Sequence, residues 1–320
     1  MTPPATTPVS LANLPTPLER LDRTSDLLGI DLWVKRDDLT GAALSGNKVR
    51  KLEYLCGEAR GLGADTLITC GAVTSNHCRA TAGAAARLGL ASHLVLRGEE
   101  PAVPDGNLLL DRLVGAATTF ITHEAWADRD AIMAGIAEQV RAEGRRPYVI
   151  PEGGSNAVGA LGYRHAAEEL AEQAAERGLD LGQVWHAVGS GGTTAGLALG
   201  FAGTGIQVRG VAVCDDAAYF DAVITRIVEP FGTDASWRVV EGYQGIGYAQ
   251  ATDEELAFHA AVARREGLIL DPVYSGKAFR ALCLEAQAGR VPTDRAIVFV
   301  HTGGIYGVFS FAAALASLPR

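Results

Sequence analysis

Short runs of β-branched and aromatic residues alternate with longer segments rich in alanine and leucine, from the end of a proline-rich start near Pro17 to the last residues. Runs of this kind, four to eight residues long and bounded by turn residues, are typical of buried strands. They predict strands at Leu32–Lys35, Thr66–Cys70, His93–Leu96, Thr118–Ile121, Tyr148–Ile150, Val184–Val188, Val208–Val213 and Ala296–Val300.

The longer segments repeat their apolar positions at helical spacing. In the first of them, Leu52, Leu55, Cys56 and Ala59 fall on one stripe. Helices are predicted at Asn47–Leu62, Asn76–Leu88, Asp130–Glu143, Ala157–Arg177, Asp253–Arg265 and Gly276–Ala288, with a further buried helix between His186 and Val208. Strand–helix alternation indicates an α/β fold, in which helices cover both faces of parallel sheets.

Composition narrows the class of protein. At about 150 residues per domain, the 320 residues suggest two domains. A hydrophobic share of 48% and a charged share of 20% are typical of a globular enzyme. The net charge of −9 argues against nucleic acid or an anionic membrane as a partner, because both favour a basic surface.

Cysteines, histidines and the chain start suggest where the protein works. The five cysteines form no C-x-x-C pair, so we expect free thiols in a reducing compartment. No two of the seven histidines lie within five residues of each other, so we predict no metal site. The first residues lack a basic and an apolar signal region, and we expect a cytoplasmic protein without a membrane span.

Lys48 has an unusual position. Ligands of open parallel sheets bind beyond the carboxyl ends of strands, where turns lead into helices. Gly46 and Asn47 suit such a turn, which places Lys48 in the first turn of a helix, where the helix dipole disfavours a cation. The lysine is therefore either solvated or kept neutral for covalent use, whereas Arg50 and Lys51 are expected to be solvated charges on the helix surface.

Two polar turns follow other predicted strands. The segment Thr74-Ser75-Asn76-His77 opens an alanine-rich helix, and its side chains and backbone N–H groups suit either a carboxylate or phosphate receptor or a simple helix cap. His77 by itself is interpreted as a structural histidine. The turn at residues 151–156 is interpreted as a connector capped by Asn156.

The glycine-rich turn after Val188 predicts a phosphate site. Successive glycines let backbone amides approach an anion closely, and two threonines add hydroxyl donors; the residues are Gly189, Ser190, Gly191, Gly192, Thr193 and Thr194. No Gly-Lys-Ser/Thr ends the turn, so it is not a Walker loop. It nearly fits G-x-G-x-x-G, and Asp215 lies where a ribose-binding acid is expected, so a nicotinamide dehydrogenase stays open.

Two further segments carry polar chemistry, the strand end at 298–304 and the tyrosine-bearing turn at 271–277. Together these turns supply an anion cradle, a carboxylate receptor and a lysine suited to covalent use. A cofactor with a phosphate and an aldehyde, acting on an amino acid, would use all three, and pyridoxal phosphate is that cofactor. A non-catalytic ligand-binding module is the other alternative.

The motifs GNKVRKLEYL, SNH, GGSNAVGALGY, DPVYSGK and HTGG resemble those of the D-cysteine desulfhydrase and 1-aminocyclopropane-1-carboxylate deaminase family. The resemblance runs from about Leu14 to Gly304. It implies the tryptophan synthase β-like fold (fold type II) of pyridoxal enzymes, with two open, twisted, mostly parallel sheets. It also implies a large domain of residues 1–48 and 159–320, a small domain of residues 49–158, and a homodimer.

The resemblance assigns roles residue by residue. Lys48 corresponds to the lysine that carries the cofactor, and the turn from Gly189 to Thr194 to its phosphate cradle. Asn76 is similar to the residue that faces the cofactor's 3-hydroxyl, and Thr302 to the one that meets its ring nitrogen. Ser75, with Thr74, Asn76 and His77, corresponds to the site that binds the substrate carboxylate. Tyr274 corresponds to a tyrosine beside the cofactor ring, and Tyr248 to a second active-site tyrosine.

The implied reaction is a β-elimination that converts D-cysteine to pyruvate, ammonia and hydrogen sulfide. Family members that open the cyclopropane ring carry a glutamate directly after the ring-side tyrosine, where this chain has Ser275. Elimination of sulfite from cysteate and deamination of 1-aminocyclopropane-1-carboxylate remain alternatives, and the sequence leaves the chirality of the substrate open.

Overall fold

The computed structural model describes residues 6–318, and its strands form two sheets. The strands of this part of the chain are β1 (Leu18–Arg20), β2 (Leu32–Lys35), β3 (Thr66–Ala72), β4 (Ala91–Arg97), β5 (Ala117–Ile121), β6 (Pro147–Val149), β7 (Leu181–Val188), β8 (Gln207–Ala212), β9 (Trp237–Val240) and β10 (Ala296–Val300). All the predicted strands are present; β1 and β9 are additional.

The six-stranded sheet has the order β1-β2-β10-β7-β8-β9, and the four-stranded sheet the order β5-β4-β3-β6. Every neighbouring pair is parallel except β1 and β2. The prediction of two mostly parallel sheets is therefore confirmed, with an antiparallel edge strand formed by the segment that follows the proline-rich start.

Helices connect the strands and cover both sheets. They are α1 (Asp22–Leu28), α2 (Asn47–Gly61), α3 (Asn76–Leu88), α4 (Gly106–Leu113), α5 (Arg129–Ala142), α6 (Ala157–Glu176), α7 (Gly192–Gly200), α8 (Ala217–Val228), α9 (Asp253–Glu266), α10 (Ser275–Gln287) and α11 (Ala312–Ala316). Each helix predicted with bounds agrees with the structure to within one residue at both ends. No helix within residues 6–318 is long and apolar enough to span a membrane.

The central strands of the larger sheet are buried on both faces. All eight residues of β7 and all five of β10 are buried. Because side chains alternate across a strand, Trp185 and Phe299 pack into one apolar cluster while Val184 and Val298 pack into another on the opposite face. This double coverage explains why these strands have continuous apolar sequences.

Loops from both ends of the chain meet beside the first turn of α2. The backbone N–H of Asn47 donates to the carbonyl of Thr302 at 3.0 Å. Gly46 and Gly303 both have a φ of +89°, and a Cβ on Gly46 would lie 2.7 Å from the Thr302 oxygen. Only glycine fits this close backbone approach, which brings the turn before Lys48 against the turn after β10.

Candidate active site

A cavity of about 630 Å³ opens where strand ends of the two sheets face each other. Its wall contains most of the predicted site residues: Lys48, Ser75, Asn76, His77, Gly189, Ser190, Gly191, Thr193, Thr194, Tyr248, Tyr274 and Thr302. Thr74 and Gly192 are not part of the wall. The structure thus brings together side chains separated by up to 254 positions in the chain, from 48 to 302.

Lys48 lies in the first turn of α2, as predicted, and its Nζ donates to Asn47 Oδ1 at 3.0 Å. Burial lowers the pKa of Lys48 to about 8, although the nearby Asp271 carboxylate opposes the shift. An appreciable fraction of the amine is therefore neutral near neutral pH. A neutral amine is the form that attacks a carbonyl.

Lys51 is not solvated, so that prediction is wrong. Its side chain is 1% exposed, and Nζ donates to the carbonyl of Gly153 at 3.2 Å and to Ser155 Oγ at 3.4 Å. Burial, with a contribution from the charge of Lys48, places the pKa of Lys51 well below its usual value. A Cβ on Gly192 would lie 2.9 Å from this amine, so Lys51 reaches the underside of the glycine-rich turn.

Arg50 is also buried, against expectation, at 2% exposure. Its guanidinium bonds to Asp37 and Glu169, each with contacts of 2.9 Å. Ten of the fifteen residues of α2 are buried, and the polar ones among them, such as Arg50, Lys51 and Glu53, bond to other segments instead of to water. Arg50 therefore belongs to the framework behind the cavity and not to its wall.

Ser75 is both a helix cap and a wall residue. It is the N-cap of α3, where its Oγ accepts from the N–H of Cys78 at 3.2 Å. The adjacent His77 is 4% exposed and its Nε2 lies 2.8 Å from Thr69 Oγ1. Burial, together with the charges of Lys48 and Lys51, places the pKa of His77 well below its usual value, so the imidazole is neutral.

The glycine-rich turn has the features of an anion site. Gly191, with a φ of +78°, caps α7, so the first amides of that helix point towards the turn. Thr194 Oγ1 is buried without a hydrogen-bond partner among the described residues. Ser190 Oγ bonds to Ser155 Oγ at 2.9 Å, whereas the N–H of Gly192 is directed inwards to Ser155 Oγ at 3.2 Å.

Two tyrosine hydroxyls meet in the wall. Tyr248 Oη and Tyr274 Oη are 2.6 Å apart. Burial raises the pKa of Tyr248 to about 12 and that of Tyr274 well above its usual value, so both are protonated. The guanidinium carbon of Arg97 lies 5.4 Å from the centre of the Tyr248 ring, and it limits the rise of the Tyr248 pKa.

Asp271 places Tyr274 at the start of α10. Its carboxylate accepts from the backbone N–H groups of Val273, Tyr274 and Ser275 at 3.0, 2.8 and 2.8 Å. Ser275 Oγ also donates to Asp271 Oδ1, at 2.5 Å, and Ser275 is 0% exposed. Ser275, the position at which the family resemblance implies a glutamate in ring-opening members, is therefore part of a buried cap.

Comparison with known proteins identifies the family. Residues 9–303 match the family described as pyridoxal-phosphate dependent enzyme. The chain belongs to this family. The match covers the cavity-wall residues from Lys48 to Thr302 and gives no support to a nicotinamide dehydrogenase.

The relatives narrow the group to D-cysteine desulfhydrases and 1-aminocyclopropane-1-carboxylate deaminases, which are pyridoxal-dependent lyases. The chain is 44% identical to the mitochondrial bifunctional D-cysteine desulfhydrase/1-aminocyclopropane-1-carboxylate deaminase of Arabidopsis thaliana, over 97% of this chain and 81% of that protein. It is 40% identical to the D-cysteine desulfhydrase of Serratia proteamaculans, over 95% of each.

Solved structures of pyridoxal-dependent enzymes have the same fold as this chain. The crystal structure of a homologue of 1-aminocyclopropane-1-carboxylate deaminase has a TM-score of 0.90 and 40% identity, covering 98% of this chain and 97% of that one. A threonine deaminase from Solanum lycopersicum, at 17% identity and a TM-score of 0.65, shares the fold. The predicted tryptophan synthase β-like fold is confirmed.

The cavity residues fit this cofactor. An aldehyde needs a neutral lysine, which Lys48 supplies. A phosphate needs several donors, and the turn at residues 189–194 offers helix amides, the unpartnered Thr194 hydroxyl and the Lys51 amine beneath. The residue types of Lys51 and Ser155 did not predict that they lie beside the glycine-rich turn. Both residues do lie within motifs that carry the family resemblance.

Proposed function

We propose that this lyase eliminates the Cβ substituent of a small β-substituted amino acid, with D-cysteine and water giving pyruvate, ammonia and hydrogen sulfide. The observation that carries the proposal is the convergence of three groups on one cavity. These are the Lys48 amine with its lowered pKa, the anion-binding turn at residues 189–194, and the hydroxyl pair of Tyr248 and Tyr274.

Pyridoxal phosphate supplies an electron sink for the charge that develops at the substrate Cα. In the proposal, Lys48 holds it covalently, the turn at residues 189–194 and Lys51 hold its phosphate, Asn76 faces its ring hydroxyl and Thr302 its ring nitrogen. A threonine hydroxyl is not a permanent charge, so it leaves the ring nitrogen less strongly protonated than a carboxylate would.

The residues around the substrate divide the remaining work. Ser75 and the start of α3 bind the substrate carboxylate, because unpaired helix amides favour an anion. The Lys48 amine, once released, takes the proton from Cα as a general base. The tyrosine pair, whose two hydroxyls are 2.6 Å apart, donates a proton to the departing sulfur.

Cysteate and the cyclopropane amino acid are the alternative substrates. The relatives' names include 1-aminocyclopropane-1-carboxylate deaminase, but Ser275 is bonded to Asp271 and supplies no carboxylate to the cavity. This favours elimination over ring opening. A panel of D- and L-cysteine, D- and L-cysteate, serine and the cyclopropane amino acid, scored for pyruvate and 2-oxobutyrate, tests the assignment; 2-oxobutyrate as the main product would overturn it.

Domain division, assembly and location are part of the same proposal. Residues 49–158 form a small domain around the four-stranded sheet, and residues 1–48 and 159–320 form a large cofactor-binding domain. We propose a homodimer in the cytoplasm. Sedimentation of the purified protein tests the dimer.

The attachment site can be tested directly because the chain has four lysines, at positions 35, 48, 51 and 277. We expect borohydride reduction of the purified protein to fix the cofactor on the peptide that contains Lys48, as read by mass spectrometry. Lys48→Ala should lose this adduct and pyruvate formation, whereas Lys51→Ala should keep the covalent site and bind the cofactor more weakly. An adduct on Lys51, or full turnover by Lys48→Ala, would contradict the proposal.

A further inference from the structure

A buried chain of hydrogen bonds leads from α3 and α4 to Asn76 in the cavity wall. Arg79 on α3 and Asn107 on α4 are each 2% exposed. Arg79 Nε donates to Asn107 Oδ1 at 2.8 Å. Asn107 Nδ2 in turn donates to the carbonyl of Thr74 at 2.7 Å and to Asn76 Oδ1 at 3.0 Å.

The direction of this chain is fixed at both ends. A guanidinium has only donors, so Asn107 must turn its oxygen towards Arg79. A backbone carbonyl has only acceptors, so Asn107 must turn its amide nitrogen towards Thr74. The same nitrogen faces Asn76, which must therefore present its oxygen to Asn107 and leave its own Nδ2 donors for the cavity.

We propose that Arg79 and Asn107 are positioning residues that hold Asn76 as a hydrogen-bond donor towards an anionic oxygen of the bound ligand. This inference rests on the proposed function. It adds to it that Asn76 presents a hydrogen-bond donor, and not an acceptor, to the cavity. Two oxygens have the required charge: the ring hydroxyl oxygen of the cofactor when ionised, and the carboxylate of the substrate. An acceptor at this position would repel either of them.

Arg79 also connects this chain to the turn that carries Lys48. Its Nη2 donates to the carbonyl of Ser45 at 3.0 Å, and its Nη1 bonds to the carbonyl of Ala43. One guanidinium therefore holds Asn76, through Asn107, on one side of the cavity. On the other side it holds the backbone of residues 43–45, which leads into the helix that carries Lys48.

Asn107→Asp is the decisive variant. It keeps the size of the side chain and its bond to Arg79, but it replaces the donor that faces Asn76 by an acceptor. Asn76 must then turn its nitrogen to the introduced carboxylate and its oxygen to the cavity. We expect the dissociation constant of pyridoxal phosphate to rise about tenfold or more, and the pH midpoint of the bound cofactor's visible absorbance to shift by about one unit, the size of one hydrogen bond to a charged group.

Matched variants separate positioning from folding. Arg79→Lys keeps a donor and should retain the normal absorbance midpoint, whereas Arg79→Met should shift it in the same direction by a smaller amount, because the Thr74 carbonyl alone then orients Asn107. Arg87→Met is the control, because Arg87 lies on the same helix but bonds to the carbonyl of Leu11 at 3.0 Å. If Asn107→Asp does not fold by circular dichroism, the comparison of Arg79→Lys with Arg79→Met decides the question.

The cofactor's absorbance and the KM show whether Asn76 donates to the cofactor's ring oxygen or to the substrate carboxylate. They also separate a failure of this inference from a failure of the proposed function. A shifted absorbance midpoint supports the cofactor oxygen, and a raised KM with normal absorbance supports the substrate carboxylate. Unchanged cofactor affinity, absorbance and KM in the folded variants would overturn the inference. Failure of the proposed function would look different, since the wild-type protein itself would then show no borohydride adduct on Lys48.

Discussion

At the scale of single residues, the environment of the Lys48 amine determines its reactivity. Burial lowers its pKa to about 8, so half of the amine is neutral at that pH and the neutral fraction approaches one at higher pH. We predict that the rate at which the cofactor-free protein incorporates pyridoxal phosphate rises with pH, reaches half of its maximum near pH 8 and then levels off. Stopped-flow absorbance across this range measures it. A rate that continues to rise tenfold per unit up to the ordinary lysine pKa would contradict the shift.

The proposed preference for elimination over ring opening depends on Ser275. Its side chain is fully buried against Asp271, whose pKa burial already raises. Ser275→Glu would place a second carboxyl group there, so we predict a loss of stability of about 2–5 kcal/mol and no gain of ring-opening deamination. Urea unfolding and a 2-oxobutyrate assay test this, with Ser275→Thr as the smaller control change. A stable Ser275→Glu variant that forms 2-oxobutyrate would refute it.

At the scale of elements, α10 holds the loop that carries Tyr248. Lys277 Nζ donates to the carbonyls of Gln244 and Gly247 at 2.6 and 2.8 Å. We predict that Lys277→Met lowers kcat/KM at least about tenfold, because the Tyr248 hydroxyl loses its fixed position, while cofactor affinity stays the same.

The control for this variant lies on the same helix. Arg280 bonds to Glu254 at 2.6 Å near the surface, so Arg280→Met should leave kcat/KM unchanged. Lys277→Arg should recover part of the activity because it keeps a donor. Equal effects of Lys277→Met and Arg280→Met would show that α10 acts only through general stability.

Most strands, and the helices whose apolar positions repeat over several turns, could be predicted, but α1, α4, α8 and α11 were not. Strands β1 and β9 were missed because their sequences, Leu-Glu-Arg and Trp-Arg-Val-Val, contain charged residues that interrupt an apolar run. The unpredicted α4 carries Asn107. The strand ends that form the cavity were predictable, since carboxyl ends of parallel strands share one edge. Tyr248 lies outside regular structure, and only the family resemblance indicated it.

The burial of Arg50 and Lys51 could not be predicted from local pattern. Charged residues are solvated by default, and for each of these two residues one partner that makes burial possible lies more than 100 positions away, Glu169 for Arg50 and Gly153 for Lys51. Local periodicity contains no information about such distant partners.

At the scale of the whole molecule, a buried ionic network connects the N-terminal segment, α2 and α6. Arg50 bonds to Asp37 and Glu169, and Lys35 bonds to Glu169 and, at 2.7 Å, to the carbonyl of Thr16. Burial alone would raise the pKa of Asp37, but the Arg50 guanidinium holds it below the usual value. The network therefore fixes the helix that carries Lys48 against the larger sheet.

Removing the central cation should be costly and pH-dependent. We predict that Arg50→Met lowers the free energy of unfolding by about 3–5 kcal/mol at pH 7, because the buried Asp37 carboxylate loses its guanidinium and the half-buried Glu169 keeps only Lys35 of its two cationic partners. In the wild type, the lowered pKa of Asp37 gives stability above the unfolded value of about 4, and this stability is lost as the pH falls through the folded value. In the variant the Tyr163 hydrogen bond and the Lys35 charge still oppose the effect of burial but the guanidinium no longer does, so the pKa of Asp37 rises and protonation relieves part of the cost.

The difference in stability between wild type and Arg50→Met should therefore be largest near neutral pH and decrease as the pH falls towards 4. Urea unfolding of the holoenzyme, followed by circular dichroism at several pH values, measures it. Arg36→Met is the control, since Arg36 is 20% exposed and pairs with Asp38 at 2.8 Å, and a pair nearer to water contributes less. A gap that widens on acidification, or a loss no larger than that of Arg36→Met, would mean that Arg50 does not compensate the buried carboxylates.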